Sequence, residues 1–289
     1  MVPSSLRRFY QKHHYVRLPK FLNKKLLREI LKALKKSKPF RYQDSGGSES
    51  MIGENAGSNT LQFLLNDPSL LKKIKEITGC AGIRSFTGRT YRLLPSYQDS
   101  MRWHNDLVYG RRVALTLNLS PKPYQGGILQ IRRRGSKNIL HEIKNTGLGD
   151  VVLFRVASFL QHRVTAIGGK NPKTAFTGWF CACADLPFER SKKIVVRPNK
   201  KNGARWKIPQ GLLEYSKDKK RIIFDPKRSL LCELDPVAGK MWDHLKKRPH
   251  LKLALRELQK EYRVAPDVLE KDVLSLAHHL NAHGFLKNV

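Results

Sequence analysis

The sequence predicts a mainly β chain with flanking helices: a double-stranded β-helix, or jelly roll, followed by a C-terminal winged-helix-like domain. Three observations predict it. Between about residues 83 and 185, eight short segments alternate apolar and polar residues, with turn signals and no helix-period stretch between them. Ahead of them run two stretches with apolar residues at helical spacing. After Pro187 the periodicity lapses into FERSKKIVVRPNKKNGA, and a hairpin pattern is then followed by three helical ones. The expected division is 1–186 for the first domain, 187–203 for a linker and 204–289 for the second.

In chain order, residues 1–20 are basic and aromatic and suit an extended lead-in. FLNKKLLREILKALKK places Leu26, Leu27, Ile30, Leu31 and Leu34 on one helical face, with Asn23 as N-cap. Residues 43–59 are rich in Gly, Ser and Asn, which predicts a long loop, either over an active-site mouth or simply on the surface. DPSLLKKIKEIT predicts a helix capped by Asp67, with Pro68 in its first position and Gly79 as its stop. FTGRTYRLL, DSMRWHND, RRVALTLNLS, GGILQIRRR, HEIKN, GDVVLFRV, QHRVTAI and KTAFTGWFCACA are the eight strands. In the last domain, KIPQGLLEYSKDKKRIIFD reads as a hairpin turning near Asp218 and SLLCEL as a strand. DPVAGKMWDHLKK, capped by Asp235, LKLALRELQKEY and APDVLEKDVLSLAHHLNAHGFL read as helices.

Charge is the compositional anomaly: 56 Lys and Arg against 23 Asp and Glu give a net +33. Such a field attracts polyanions and acidic peptides, unless it only decorates solvated faces. The excess is spread, with 33 basic and 12 acidic residues in 1–190 and 23 and 11 in 191–289, so there is no separate basic arm. Cys80, Cys181, Cys183 and Cys232 lack metal or redox spacing and read as small buried hydrophobes. With no apolar leader and no run near 18 apolar residues, a cytoplasmic chain without membrane insertion is expected.

The chemistry-bearing residues lie between Arg102 and Phe180. His104 and Asp106, in RWHND, are two apart and share one face of a strand. His162 opens a later strand. Two imidazoles and one carboxylate on a sheet can bind Fe(II) on one side and leave three positions open. Lys173 falls on the following strand, aimed inward, where a buried cation needs a counter-charge. Arg102, Arg111 and Arg112 flank the expected mouth and suit an acidic substrate or plain surface charge.

YRLLPSYQDSMRWHND, the LNLS and GGILQI strands, GLGDVVLF, HRVTAI and KTAFTGWF resemble the prolyl-4-hydroxylase-like branch of the Fe(II)/2-oxoglutarate oxygenases. The resemblance implies that His104, Asp106 and His162 are the iron ligands and that Lys173 holds the distal carboxylate of 2-oxoglutarate. Most members carry Arg there, so a bidentate clamp becomes a point charge. Asn118 falls where relatives place a Tyr near that carboxylate, and Tyr91 is a possible substitute. The carboxylate at Asp106 argues against the halogenating relatives.

The stretch from Ala204 to the end, through DPVAGKMWDHL, VLEKDVLSLA and GFL, resembles the PqqD-like peptide-recognition family. That resemblance implies a leader peptide added as a strand near Leu213–Tyr215 and Ile222–Phe224 (Leu213, Tyr215, Ile222, Phe224), with the last helix as a wall. Together these imply a peptide hydroxylase using Fe(II) and 2-oxoglutarate, acting on a ribosomally made precursor docked through its leader. Two alternatives stand beside it. One is a nucleic-acid oxygenase using the basic winged helix, disfavoured because repair-type demethylases carry a second Arg shortly after the 2-oxoglutarate-binding residue, whereas TAFTGWF, directly after Lys173, has none. The other is a non-catalytic peptide-binding protein.

Overall fold

The computed structural model describes residues 3–44, 47–97, 99–108, 110–144, 147–183, 189–190 and 205–289. The first unit, residues 1–187, has helices α1 (Ser4–His13), α2 (Lys24–Lys35), α3 (Ala56–Leu65) and α4 (Pro68–Thr78). Its strands are β1 (Tyr15–Leu18), β2 (Pro39–Asp44), β3 (Gly47–Ile52), β4 (Ser85–Leu93), β5 (Met101–His104), β6 (Arg111–Asn118) and β7 (Gln125–Gly126). They continue with β8 (Leu129–Arg133), β9 (Ile139–Ile143), β10 (Val151–Arg155), β11 (Leu160–Val164), β12 (Ile167–Gly168) and β13 (Lys173–Cys181).

One antiparallel sheet runs β1-β10-β6-β13-β4-β3-β5-β11-β8-β9, with β2 on β3. It curls into a jelly-roll-like half-barrel. The period-two pattern of its central strands divides their side chains between two cores. Val113, Leu115 and Leu117 of β6, Val151 and Leu153 of β10, and Phe176 and Phe180 of β13 pack under α1–α4. Ala114, Val152 and Phe154 face the other way, into the curl, with Leu129, Ile131 and Leu160. Full burial on both faces is why β6 reads as a nearly continuous apolar run. Phe86 packs against Phe176 and Phe180 at ring separations of 5.9 and 4.8 Å. Beside it, Gly178 pairs with Gly88, and a Cβ on Gly178 would lie 2.2 Å from the Thr87 carbonyl oxygen.

All eight expected strands form, as do the helices capped by Asn23, whose Oδ1 accepts from Leu26 N, and by Asp67, which accepts from Ser69 N and Leu70 N. Two expectations need correction. Residues 4–13 are helical rather than extended, because Tyr10 is buried against the core and the helix packs on α4. The stretch expected as a loop at 43–59 instead contains the end of β2, all of β3, its hairpin partner, and the first turn of helix α3. Asn55 caps that helix through Gly57 N and Ser58 N. The hairpin is tied down by Asp99, which is fully buried. Asp99 accepts from Arg41 Nη1 at 2.8 and 2.9 Å, Ser48 Oγ at 2.9 Å and Leu94 N at 2.9 Å.

The second unit spans residues 188–289. Strands β14 (Glu189–Arg190), β16 (Leu213–Lys217), β17 (Lys220–Asp225) and β18 (Leu230–Leu234) form a sheet ordered β14-β18-β17-β16. A separate pair joins β15 (Trp206–Lys207) to β19 (Lys287–Asn288). Helices α5 (Pro236–Lys247), α6 (Leu251–Glu261) and α7 (Pro266–Ala282) enclose a core around Trp242, Leu258 and Leu280. Asp235 caps α5 through Ala238 N. Of the expected linker 187–203, Glu189–Arg190 pair in parallel with Leu230 and Leu231, and the rest lie outside the described residues. Cys181 and Cys232 are buried as expected and Cys80 is half-buried. Cys183 is exposed, because β13 ends at Cys181.

Candidate metal centre

The inner face of the curled sheet encloses a cavity of about 330 Å³. His104, Asp106 and His162 meet on its wall, with their candidate ligand atoms all within 4.8 Å of one another. His162 Nε2 lies 3.1 Å from Asp106 Oδ2, and His104 Nε2 lies 3.7 Å from Asp106 Oδ1. His104 and His162 are cross-strand partners on β5 and β11, with ring centroids 4.2 Å apart.

The reason for the convergence differs from simple strand alternation. Strand β5 ends at His104, and Asp106 adopts a left-handed backbone with φ of 56°. Asp tolerates that conformation better than most residues, and the turn swings its carboxylate back to the imidazoles. Burial alone would raise the Asp106 carboxyl. The hydrogen bond and charge of His162, with His104 and a hydrogen bond from Trp179, outweigh it and hold the group at about 2. Burial lowers His162, partly opposed by Asp106, and favours the neutral imidazole. His104 Nδ1 lies 2.7 Å from the Arg102 carbonyl oxygen, which orients Nε2 inward.

Lys173 also lines the cavity, at 3% exposure, and burial pushes its amine down to about 8. Its Nζ donates to the Gly127 carbonyl at 2.7 Å, and no acidic side chain among the described residues pairs with it. Gly127 has φ of 60°, and a Cβ there would sit 2.8 Å from Lys173 Cδ. The glycine therefore leaves room for the amine's stem. A desolvated ammonium without a counter-charge is a receptor for an anion.

The remaining candidates separate. Tyr91 lines the cavity, and burial raises its phenol. Arg111 lines it too, with its guanidinium carbon 3.5 Å from the centre of the Trp179 ring and Nη1 3.5 Å from Asp106 Oδ1. Asn118 does not reach it: its amide donates to the Gly147 carbonyl and accepts from Ser120 N, so the 147–150 turn consumes it. Arg102 does not either. Between His162 and Val164 the register slips so that β11 advances two residues while β5 goes back three, from His104 to Met101. That bulge gives Met101 the inward place and leaves Arg102 exposed on the outer side.

Sequence reasoning missed three contributors. Trp179 Nε1 donates to Asp106 Oδ2 at 2.8 Å. The parity of β13 carries that signal, because residues 173, 175, 177 and 179 share a face. Glu49 and Arg89, 2.6 Å apart, also line the cavity, and the hairpin that brings Glu49 there was not foreseen.

In the second unit β16 forms one edge of the four-stranded sheet and the two-residue β14 the other. β17 is hydrogen-bonded on both sides, so Ile222 and Phe224 cannot receive an added strand and are buried instead. Tyr215 is buried as well. The groove beside β16 is lined by Leu213, Glu214, Ile223 and, from α5 rather than the last helix, Trp242 and Lys246.

Residues 92–181 match the 2OG-Fe(II) oxygenase superfamily, and residues 220–286 match Coenzyme PQQ synthesis protein D (PqqD). Among solved structures, a prolyl-4-hydroxylase of Pseudomonas putida is similar at 17% identity over 62% of this chain and 97% of its own, with a TM-score of 0.49. An oxidoreductase of the 2OG-Fe(II) oxygenase family from Burkholderia pseudomallei follows at 16% identity over 62% and 91%, with a TM-score of 0.48. A prolyl hydroxylase from Trichoplax adhaerens, in complex with a hypoxia inducible factor oxygen degradation domain peptide fragment, is similar at 17% identity over 62% and 88%, with a TM-score of 0.48. No curated protein matches. The chain thus joins an oxygenase segment to a PqqD segment, and Fe(II) with 2-oxoglutarate is the cofactor pair that the first implies. The residues fit that pair: a two-imidazole, one-carboxylate donor set beside a buried, unpaired ammonium.

Proposed function

We propose that the protein is an Fe(II)/2-oxoglutarate-dependent dioxygenase that hydroxylates a residue of a ribosomally made peptide, docked through its leader on the C-terminal unit. The observation that carries the first half is the meeting of His104, Asp106 and His162 in a cavity that also holds Lys173. Iron with 2-oxoglutarate supplies oxidation of a C–H bond, in which O2 gives one oxygen atom to the product and one to succinate, with release of CO2.

The chain's own residues have four tasks. His104, Asp106 and His162 hold the metal. Lys173, steadied by Gly127, receives the distal carboxylate of 2-oxoglutarate. Trp179 fixes the orientation of the Asp106 carboxylate through a donated hydrogen bond. Leu129, Phe154 and Val164 form an apolar wall that limits water at the centre.

Support for the peptide half is the PqqD match and the position of β16, which among the described residues is hydrogen-bonded to a neighbouring strand on one side and has a groove for side chains beside it. No helix among the described residues is long and apolar enough to cross a membrane. The test is incubation with Fe(II), 2-oxoglutarate, O2 and a candidate precursor, intact or stripped of its leader. Mass spectrometry reads the product. Expected is the gain of one oxygen atom in the core, made much slower by leader removal; oxidation of a bare nucleic acid instead would overturn the peptide reading.

A further inference from the structure

Five charged side chains line the cavity: Glu49, Arg89, Asp106, Arg111 and Lys173. Glu49 and Arg89 neutralise each other across 2.6 Å. On the oxygenase reading, Fe(II), Asp106, doubly ionised 2-oxoglutarate and Lys173 also sum to zero. Arg111 is left over. Its side chain is only 18% exposed, so solvent does not screen it fully. Among the described residues its one side-chain hydrogen bond is to Asp106 Oδ1, at 3.5 Å, the far limit of such a bond. Stacking on Trp179, at 3.5 Å from the ring centre, fixes the guanidinium plane and leaves the edge donors for another acceptor.

We infer that the loaded cavity receives one more carboxylate, carried by the substrate and bound by the Arg111 guanidinium, and that the residue presented to the metal is therefore acidic. This deepens the proposed oxygenase function and rests on it. A carboxylate satisfies the fork of an arginine with two parallel hydrogen bonds, which a neutral amide cannot do. A lysyl side chain would place a second cation beside a guanidinium whose acidic neighbour, Asp106, is the one the metal also takes. A side chain and a peptide's C-terminus offer the same chemistry, and the side chain is the source assigned.

The test uses the full chain with Fe(II) and 2-oxoglutarate, without oxygen. The probes are acetylated Gly-Asp-Gly amide, its Asn and Lys counterparts, and acetylated Gly-Gly-Gly with a free C-terminus. Each is titrated to millimolar concentration against the visible charge-transfer band. Expected is binding of the Asp peptide roughly tenfold or more tighter than the Asn peptide, the scale of a hydrogen bond to a charged group. The preference should shrink in Arg111→Lys and vanish in Arg111→Gln, while affinity for 2-oxoglutarate holds.

Equal affinity across the peptides, or binding of none, overturns the inference. Tightest binding by the free C-terminus refutes the side-chain assignment. Loss of 2-oxoglutarate affinity in Arg111→Gln as large as in Lys173→Met shows that Arg111 serves the co-substrate, and overturns it too. Failure of the band to form in the unmutated protein refutes the oxygenase reading itself, a result separate from all of these.

Discussion

Replacing Lys173 by Met should stabilise the metal-free protein near neutral pH while removing 2-oxoglutarate binding. The amine is 3% exposed and held at about 8, against 10.5 when solvated. A depression of that size costs the folded state roughly 3 kcal/mol while the unfolded chain is protonated. The sign follows from proton counts. Between about pH 8 and 10.5 the unfolded state binds more protons, so stability rises with pH across that window. Below it the cost is present in full. Methionine has similar length and no charge, so it removes the cost but leaves the Gly127 carbonyl without its donor, a loss of about 1 kcal/mol. The net is a gain of about 2 kcal/mol at pH 7, falling to zero near pH 10. Urea unfolding of metal-free protein at several pH values, read on the transition of the first unit, measures it. A loss of several kcal/mol at pH 7 would refute the picture of an ammonium held dry and without a counter-ion.

Other perturbations separate the parts of the site. Affinity for 2-oxoglutarate in the loaded protein should weaken on raising the pH well above about 8, as Lys173 loses its proton, to an extent limited by the pKa rise that the bound carboxylate itself causes; calorimetry across the pH range reads it. Trp179→Phe keeps the ring but removes the donor to Asp106, and metal affinity should fall about tenfold to a hundredfold in equilibrium dialysis. Asp99→Ala leaves Ser48 and Leu94 N without their acceptor and unpairs Arg41. Denaturation should show a loss of roughly 3 kcal/mol, together with faster hydrogen exchange in the β2–β3 hairpin. In the second unit, Leu213→Asp puts a charge in the groove beside the sheet edge, and should weaken binding of a leader peptide by about tenfold or more without changing 2-oxoglutarate affinity.

The parts of the fold that could be read from the residues are those whose burial alternates in register with the chain. Strands β4, β6, β10 and β13 divide their side chains between the helix-covered core and the curl, so period two is written into them. The hairpin of β2 and β3 carries no such record. Its strands hold Arg41, Tyr42, Ser48 and Glu49, and Phe40 is half-exposed. A buried carboxylate from a distant loop, Asp99, pins it in place. Helix α1 was equally silent, because Tyr10 is its one buried residue. At the site, the identities of the three donors were legible, while the left-handed turn that aims Asp106 was not. Arg102 and Asn118 were misplaced for local reasons: a bulge in β5 reverses the parity behind His104, and a turn captures the amide of Asn118.

The central claim is that His104, Asp106 and His162 hold one ferrous ion with room for 2-oxoglutarate beside it. Oxygen-free titration of the metal-free chain with Fe(II), followed by 2-oxoglutarate, tests this most directly. One equivalent of iron should bind, and a new visible band should appear on adding one equivalent of 2-oxoglutarate. Both should be lost in His162→Ala, whereas Lys173→Met should keep the iron and lose only the band. Undiminished iron binding in His104→Ala and His162→Ala alike would contradict it.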